Sequence, residues 1–336
     1  MLDFSVSCSP LGIPQKIIAA WPELLSEVKR YPSVEGSGVQ HFYATRYGIG
    51  PDRLIAGNGS IDCIYALADL LRPTRATVLA PCFADYRRSL KGRGTQVAEH
   101  ILHAKDDWVL PSDDLPNPGQ LVWLASPGNP TAAQWQQERL LKLAQNLAKR
   151  GAMLVVDEAF IDLVPDAQNR SLLRQKNLPE NLVILHSLTK SWGIPGLRLG
   201  AMICHPTLQQ RLAALRPPWM IAGPADQAAR LLAEDDGGHL KATRAFIHPE
   251  MERLRTALAG IPGLEAFPSR INFLLVKVSC QDPDEFLNTL MQKHQVNVRD
   301  CRSFAGLSDF HIRIGLRSSG DNDRLIAALN DAMRIQ

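Results

Sequence analysis

The chain has 336 residues, of which 45% are hydrophobic and 21% charged, a composition typical of a globular protein with about two domains. Its 37 lysines and arginines nearly balance its 34 aspartates and glutamates, and a net charge of +3 gives no electrostatic case for binding nucleic acid or an anionic membrane. No segment resembles a membrane helix, and the first residues lack the basic start and apolar run of a signal peptide. We therefore expect a cytoplasmic protein.

The cysteines and histidines do not indicate a metal or redox centre. The six cysteines lie far apart, and none forms a C-x-x-C pair. His100 and His103 share a ligand-like spacing, but they belong to a predicted strand, on which positions three apart face opposite ways. We expect no metal site.

The first two thirds of the chain alternate short apolar runs with helical patterns, which is typical of parallel strands joined by crossover helices. Strands are predicted over 54–56, 77–80, 96–102, 121–125, 153–156 and 182–185, and helices over 61–71, 83–91 and 136–150. In the last of these helices Leu140, Leu143 and Leu147 recur at helical spacing, and Gly151 stands where a glycine ends a helix.

The pattern changes after about residue 225. One long helix is predicted from 224 towards 258, followed by strands over 273–276, 296–298 and 312–314 and by helices over 284–294 and from 321 onwards. We therefore expect an arm over 1–30 that contributes to the small domain and to a dimer, a large domain over 31–225, and a small α+β domain over 226–336.

Polar residues follow four of the predicted strands, where an open α/β sheet binds its ligands. Gly59 and Ser60 lie at the start of a helix, where free backbone N–H groups suit a phosphate, although a plain capping turn has the same sequence. Asn129 follows the strand at 121–125, and Asp157 follows the strand at 153–156. Ser187, Lys190 and Arg198 follow the strand at 182–185.

Pyridoxal phosphate catalysis needs this set of side chains. The cofactor is an electron sink that requires a lysine for a Schiff base, an acid at its ring nitrogen and anchors for its phosphate. Lys190 and Asp157 supply the first two, and Asn129 supplies an amide for the ring hydroxyl. The phosphate anchors are Gly59, Ser60, Ser187 and Arg198.

The motifs that carry these residues resemble those of fold-type I pyridoxal phosphate enzymes, in particular the histidinol-phosphate aminotransferase group. They are Ser187-x-x-Lys190 with Arg198, Asp-Glu-Ala-Phe over 157–160, and Asn-Pro-Thr over 129–131. Within that group, segments 2–12 and 187–198 most resemble the threonine-phosphate decarboxylases of cobalamin biosynthesis, although Ser7 and Ser9 stand where that branch usually has asparagine. The resemblance implies a large domain with a mostly parallel sheet and a smaller α+β domain.

The resemblance also implies roles for individual residues. Lys190 would form the Schiff base, Asp157 would pair with the ring nitrogen, Asn129 would donate to the ring hydroxyl, and Tyr86 would stack on the ring. Tyr31 resembles a tyrosine that reaches the cofactor phosphate of the neighbouring subunit, which implies a homodimer with shared sites.

Two arginines near the C-terminus are candidates for substrate binding. Arg313 resembles the arginine that forks onto the substrate carboxylate, a task that suits its planar set of donors. Arg324, eleven residues further on, falls where the group has a second substrate arginine and would suit a phosphate. The alternative for both is an ordinary arginine with a structural or solvent-exposed role.

We therefore expect a decarboxylase of an O-phosphorylated or similarly polar L-amino acid, such as L-threonine O-3-phosphate; the alternative is an aminotransferase of the histidinol-phosphate type. Ser187-x-x-Lys190 also matches the serine nucleophile of penicillin-binding proteins, but S-D-N and K-T-G are missing from the sequence. A regulator on this scaffold would normally add a helix-turn-helix domain, and the sequence offers no segment for one before Leu2.

Overall fold

The computed structural model describes residues 1–307 and 309–335. Its strands are β1 (Leu2–Asp3), β2 (Leu54–Asn58), β3 (Arg75–Ala80), β4 (Gln96–Ile101), β5 (Leu121–Ala125), β6 (Met153–Asp157), β7 (Leu182–Ser187), β8 (Leu199–Ile203), β9 (Leu264–Ala266), β10 (Phe273–Val278), β11 (Val296–Asn297), β12 (Arg299–Asp300) and β13 (His311–Gly315). Its α-helices are α1 (Gln15–Ala19), α2 (Trp21–Ser26), α3 (Ser37–Tyr47), α4 (Ser60–Leu71), α5 (Ala84–Lys91), α6 (Gln137–Ala148), α7 (Ala167–Arg170), α8 (Leu188–Ser191), α9 (Pro206–Leu215), α10 (Gly223–Ala233), α11 (Gly238–Ala259), α12 (Pro283–His294) and α13 (Ser319–Ile335).

Seven strands form the large sheet, in the order β2-β8-β7-β6-β5-β3-β4. Strands β3 to β7 pair in parallel, whereas β8 is antiparallel to both of its neighbours, β7 and β2. The predicted fold class, a mostly parallel sheet with helices, is confirmed; β8 itself is not among the predicted strands. Because β2 points the same way as β5, β6 and β7, the carboxyl ends of these four strands lie at one edge of the sheet.

The central strands are buried on both faces because helices cover both sides of the sheet. Along β6, Leu154 and Val156 pack into one core cluster, and Val155, which points the other way, packs into another. The helix predicted over 136–150 is α6, and Leu140, Leu143 and Leu147 form its buried face. Each such side chain contributes about 1.5–3 kcal/mol when fully buried, so this packing fixes the sheet edge that holds the candidate site.

A second, antiparallel sheet has the order β12-β13-β10-β9 and lies in the C-terminal part of the chain. Its core is apolar and includes Phe273 and Phe286, and Phe4 from the N-terminus is buried in the same cluster. Strand β1 also pairs in parallel with β11, so the N-terminal arm is attached to this part of the protein. Within the described ranges, no helix has both the length and the apolar character needed to cross a membrane.

Two predicted elements differ from the structure. The single helix expected from 224 to 258 is two helices, because Gly237 between α10 and α11 has a left-handed φ of 88°. Of the strand expected over 296–298, only Val296–Asn297 form a strand, β11, which pairs with β1, and a separate strand β12 directly after Val298 pairs with β13. The domain division near residue 225 stays a prediction: α10 packs with the core of the large sheet, and α11 packs with that of the second sheet.

Candidate active site

The polar residues at the carboxyl edge of the large sheet line one cavity of about 450 Å³. Eight of the predicted site residues line it: Ser60, Tyr86, Asn129, Asp157, Ser187, Lys190, Arg198 and Arg313. Its charged lining consists of four basic side chains, which are Lys190, Arg198, Arg299 and Arg313, and one carboxylate, Asp157. The cavity therefore suits a ligand with more than one negative charge.

The phosphate cradle lies where β2 leads into α4. Gly59 has a φ of 76°, and a Cβ at this position would overlap the guanidinium of Arg198. A Cβ at Gly200 would overlap the backbone nitrogen of Ser60 at the start of α4. Since both glycines are needed for this close approach, the backbone N–H groups of α4 and the Arg198 side chain can converge on a phosphate. The hydroxyl of Ser187 lies 2.7 Å from that of Thr189.

Lys190 lies in the short helix α8, directly after the end of β7. Burial lowers the pKa of its amine, and the positive charges of Arg313 and Arg198 lower it further, although Cys8 and Asp157 oppose this. Among the residues that the structure describes, no carboxylate lies within 4 Å of this amine. The amine therefore has no ion pair to break before it reacts with a carbonyl group.

Asp157 is a buried carboxylate, 6% exposed, at the end of β6. It accepts hydrogen bonds from the Tyr86 hydroxyl at 2.6 Å and from the backbone nitrogen of Ala159 at 2.9 Å. Burial raises its pKa despite these hydrogen bonds, and no basic side chain in the described ranges lies within 4 Å of it. A buried carboxylate needs a positive partner, and a protonated ring nitrogen fits this requirement.

The structure corrects the predicted stacking role of Tyr86. Its ring is 1% exposed and stacks on Trp123, with ring centroids 5.1 Å apart, while its hydroxyl donates to Asp157. Phe83, one helical turn earlier, is only partly buried and lines the cavity. We therefore infer that Phe83 covers the ring of a bound cofactor and that Tyr86 orients Asp157.

Asn129 and Arg313 form a linked pair across the cavity. Arg313 donates to the side-chain oxygen of Asn129 at 2.5 Å and to the backbone oxygen of Ser5 at 2.7 Å. This arrangement leaves the amide nitrogen of Asn129 free to donate to a ring hydroxyl oxygen. Burial lowers the pKa of Arg313 to about 10, and its Nε is a buried donor with no partner, so a bound carboxylate would satisfy it.

The arginine that lines the cavity next to Arg313 is Arg299 and not Arg324, which the sequence predicted as the second substrate-binding arginine. Arg299 and Arg313 are directly paired across β12 and β13, which puts both side chains on the same face of the sheet. Arg324 lies exposed on α13 and does not line the cavity. Arg299 directly follows the strand predicted over 296–298 and lies fourteen residues before Arg313. This position at the end of a predicted strand is the signal in the sequence that could have identified it.

Tyr31 lies outside the cavity and is 83% exposed, with its ring centroid 5.2 Å from that of Trp219. Its expected role at a neighbouring subunit stays a prediction. Ser7, where the sequence departs from the cobalamin branch, does line the cavity, and its buried hydroxyl has no hydrogen-bond partner.

Comparison with known proteins is consistent with this site. A sequence profile of the family described as aminotransferase class I and II matches residues 1–329. The chain is 30% identical to the threonine-phosphate decarboxylase of Salmonella typhimurium, over 99% of this chain and 91% of that protein. It is 28% identical to the histidinol-phosphate aminotransferase of Thermoanaerobacter pseudethanolicus, over 97% of this chain and 91% of that protein.

Two solved structures share the fold. The histidinol-phosphate aminotransferase of Clostridium acetobutylicum has a TM-score of 0.91 and 23% identity, with all of both chains covered. The histidinol-phosphate aminotransferase of Sinorhizobium meliloti, in complex with pyridoxal 5'-phosphate, has a TM-score of 0.86 and 22% identity, over 99% of this chain and 91% of that chain.

Proposed function

Since this chain belongs to the class I and II aminotransferase family, a family of pyridoxal phosphate-dependent enzymes, we propose that it decarboxylates an O-phosphorylated or similarly polar L-amino acid. L-Threonine O-3-phosphate is the leading candidate substrate, which would give the enzyme a role in cobalamin biosynthesis. The observation that carries the proposal is the pair of arginines, Arg299 and Arg313, in the same cavity as Lys190 and Asp157. The two guanidinium groups match the two anionic groups of such a substrate, its carboxylate and its phosphate.

The residues of the cavity fit pyridoxal phosphate, which when bound supplies an aldehyde for an amine and a ring that withdraws electrons from the substrate Cα. Lys190 would hold the aldehyde covalently and later return a proton to the product. Asp157, oriented by Tyr86, would keep the ring nitrogen protonated. Asn129 would donate to the ring hydroxyl, and Phe83 would exclude water from one face of the ring.

The phosphate of the cofactor would be held by the cradle between β2 and α4. Its components are Gly59, Ser60, Ser187 and Arg198, which combine backbone N–H groups, hydroxyls and a guanidinium. Arg313 would fork onto the substrate carboxylate, because Asn129 and Ser5 hold its other donors in place. Arg299, on the same face, would take the substrate phosphate.

The direction in which Arg313 holds the carboxylate decides which bond to Cα breaks. For decarboxylation, Arg313 would have to present the bond between Cα and the carboxylate for cleavage; any other placement would leave the Cα–H bond to be broken, with Lys190 as the base. The second candidate function, an aminotransferase of the histidinol-phosphate type, is favoured by the similarity to aminotransferases of that name.

The deciding experiment incubates the purified holoenzyme with O-phosphothreonine, O-phosphoserine and histidinol phosphate, each with and without 2-oxoglutarate. Carbon dioxide release and the conversion of 2-oxoglutarate to glutamate are followed in parallel. We expect carbon dioxide from a phosphorylated amino acid with no requirement for 2-oxoglutarate. Turnover that depends on 2-oxoglutarate and releases no carbon dioxide would replace the decarboxylase by the aminotransferase.

Replacing Arg299 by glutamine is expected to weaken substrate binding and to leave the cofactor in place. Loss of a charged hydrogen-bond partner costs about 1.5–3 kcal/mol, so KM should rise by about 10- to 100-fold. Arg324→Gln is the matched control, because Arg324 lies outside the cavity. An unchanged KM in Arg299→Gln together with a raised KM in Arg324→Gln would restore the original prediction for Arg324.

The proposed homodimer is supported by the exposed apolar surface. Among the residues that the structure describes, twelve large hydrophobic side chains are exposed; ten of them lie within residues 1–34, and the other two are Leu215 and Trp219. Val28, Tyr31 and Val34 are more than half exposed, and Tyr31 contacts Trp219. A concentration of exposed apolar side chains in one part of the chain is typical of a protein interface. The cytoplasmic location and the absence of nucleic-acid partners stay predictions.

Val28→Asp is expected to convert a dimer into a monomer, because it introduces a charge into an apolar surface that is 64% exposed at this residue. A substitution at the centre of an interface typically costs about 2 kcal/mol or more, a roughly 30-fold weaker dimer. Light scattering coupled to size-exclusion chromatography measures the mass. Lys91→Asp, which alters the charge of an exposed residue on α5, is the control. A monomeric wild-type protein would refute the dimer.

A further inference from the structure

A second cavity lies apart from the cofactor cavity and has a volume of about 600 Å³. It is bounded by the end of α3, by the segment that follows β6 and by the first turns of α11. None of the residues that line it also lines the cofactor cavity. Small-molecule sites typically have volumes of about 300–1,000 Å³, so this space is large enough for a ligand.

Four basic side chains line the second cavity: Arg46, Arg174, Lys241 and Arg244. In the described ranges, none of them lies within 4 Å of a carboxylate. Three donate only to backbone oxygens, namely Arg46 to Asp235 at 2.9 Å, Arg174 to Arg46 at 2.8 Å and Arg244 to Asp162 at 2.8 Å. Backbone oxygens satisfy donors but do not neutralise charge, so the charges of these four side chains are opposed only by carboxylates that lie farther than 4 Å away.

Three carboxylates also line the second cavity, and each has donors of its own. Asp162 accepts from the Tyr47 hydroxyl at 2.9 Å and lies 3.2 Å from Nε2 of His186. Asp166 pairs through Oδ2 with Arg170 at 2.6 Å. Asp236 accepts from the backbone nitrogen of Gly238 at 2.8 Å. Arg170 therefore neutralises Asp166, whereas Asp162, on which the charge of Arg46 acts, and Asp236 offset part of the positive charge of the cavity. The four basic side chains still outnumber the carboxylates of the lining.

Two further features indicate the kind of ligand. Helix α11 is 22 residues long and begins at this cavity, where Asp236 accepts from the first backbone nitrogen of the helix, that of Gly238. The positive end of its dipole adds to the attraction for an anion. The second oxygen of Asp166, Oδ1, is buried and has no hydrogen-bond partner, so a hydroxyl or amino group of the ligand would satisfy it.

We propose that the second cavity binds a small phosphate ester that also carries a hydroxyl or amino group. The phosphate lies among Arg46, Arg174, Lys241 and Arg244 at the start of α11. The hydroxyl or amino group of the ester donates to Asp166. The site is separate from the cofactor and from the substrate, and it does not depend on which bond the enzyme breaks.

Isothermal titration of the holoenzyme tests this proposal, since the cofactor phosphate then occupies the cradle of the first cavity. The probes are glycerol 3-phosphate and inorganic phosphate. We expect glycerol 3-phosphate to bind more tightly than inorganic phosphate, because the hydroxyls of the ester can reach Asp166 while its phosphate stays among the basic side chains. Equal affinities for the two probes, or no heat of binding at millimolar concentrations, would overturn the proposal.

Variants identify the cavity that is occupied. Arg174→Gln combined with Lys241→Gln removes two exposed charges and should weaken the binding of glycerol 3-phosphate by about tenfold or more. Lys91→Gln combined with Lys149→Gln removes two exposed charges elsewhere and should have no effect. Arg299→Gln should also leave the affinity unchanged; loss of binding in that variant would assign the ester to the cofactor cavity and would contradict the proposal. Circular dichroism and thermal melting show whether each variant is folded.

Discussion

Lys190→Ala is expected to abolish covalent retention of the cofactor and to reduce turnover by at least about 10³-fold, since one group is lost both as the anchor and as a proton carrier. The amine at position 190 lies in the cofactor cavity, its pKa is lowered by burial, and no carboxylate in the described ranges pairs with it. These properties favour the neutral amine, the form that reacts with an aldehyde, more than they would at an exposed lysine.

Borohydride reduction followed by mass spectrometry measures the covalent bond directly. The wild-type protein should gain the mass of the reduced cofactor on the peptide that contains Lys190, and its visible absorbance should persist through gel filtration. Lys149→Ala, at the exposed end of α6, should behave like the wild type. Retention of the cofactor mass in Lys190→Ala would show that another amine holds the aldehyde and would contradict the role proposed for Lys190.

Asp157→Asn is expected to keep most of the bound cofactor and to lower kcat by about 10²- to 10³-fold, the size of effect seen when one electrostatic contact to a reacting group is removed. Asparagine can still accept the hydrogen bond from Tyr86, but it has no charge to keep a ring nitrogen protonated. The buried position of Asp157 makes this charge effective, because little solvent screens it.

The measurement for Asp157→Asn combines cofactor content, taken from absorbance after denaturation, with steady-state kinetics. Asp52→Asn is the control, since Asp52 is exposed and lies outside the cavity. A kcat within tenfold of the wild-type value, at full cofactor occupancy, would mean that Asp157 does not pair with the ring nitrogen. Loss of the cofactor with unchanged activity per bound cofactor would instead assign Asp157 a role in binding alone.

Short-range patterns in the sequence predicted much of the fold. The runs 121–125, 153–156 and 182–185, which lie within β5, β6 and β7, are apolar at every position, and this is the pattern of strands covered on both faces. The break between α10 and α11 was missed, although Gly237 and Gly238 stand next to each other there. Helical periodicity continues on both sides of the break, so the pattern predicted one helix. Strand β8 was missed because its glycine and alanine weaken the strand pattern.

Some residues of the candidate site could be predicted from the sequence and others could not. Residues that directly follow a strand, such as Asp157 and Lys190, could be assigned to the cavity because the strand end fixes their position. Tyr86 and Phe83 are both aromatic and lie near the start of α5, and only packing against Trp123 decides which one faces the cavity. The helical pattern of this segment does not distinguish Tyr86 from Phe83.

The sequence by itself determined the mostly parallel sheet, the family and the residues at the strand ends, because these depend on local apolar patterns and on short motifs. Tertiary structure alone decided which distant side chains meet: it paired Arg299 with Arg313 across two strands and left Arg324 exposed on α13. It also brought α3 and α11 together around the second cavity. The physical reason is that cross-strand register and helix packing depend on the whole core, so contacts between remote residues cannot be predicted from any one segment.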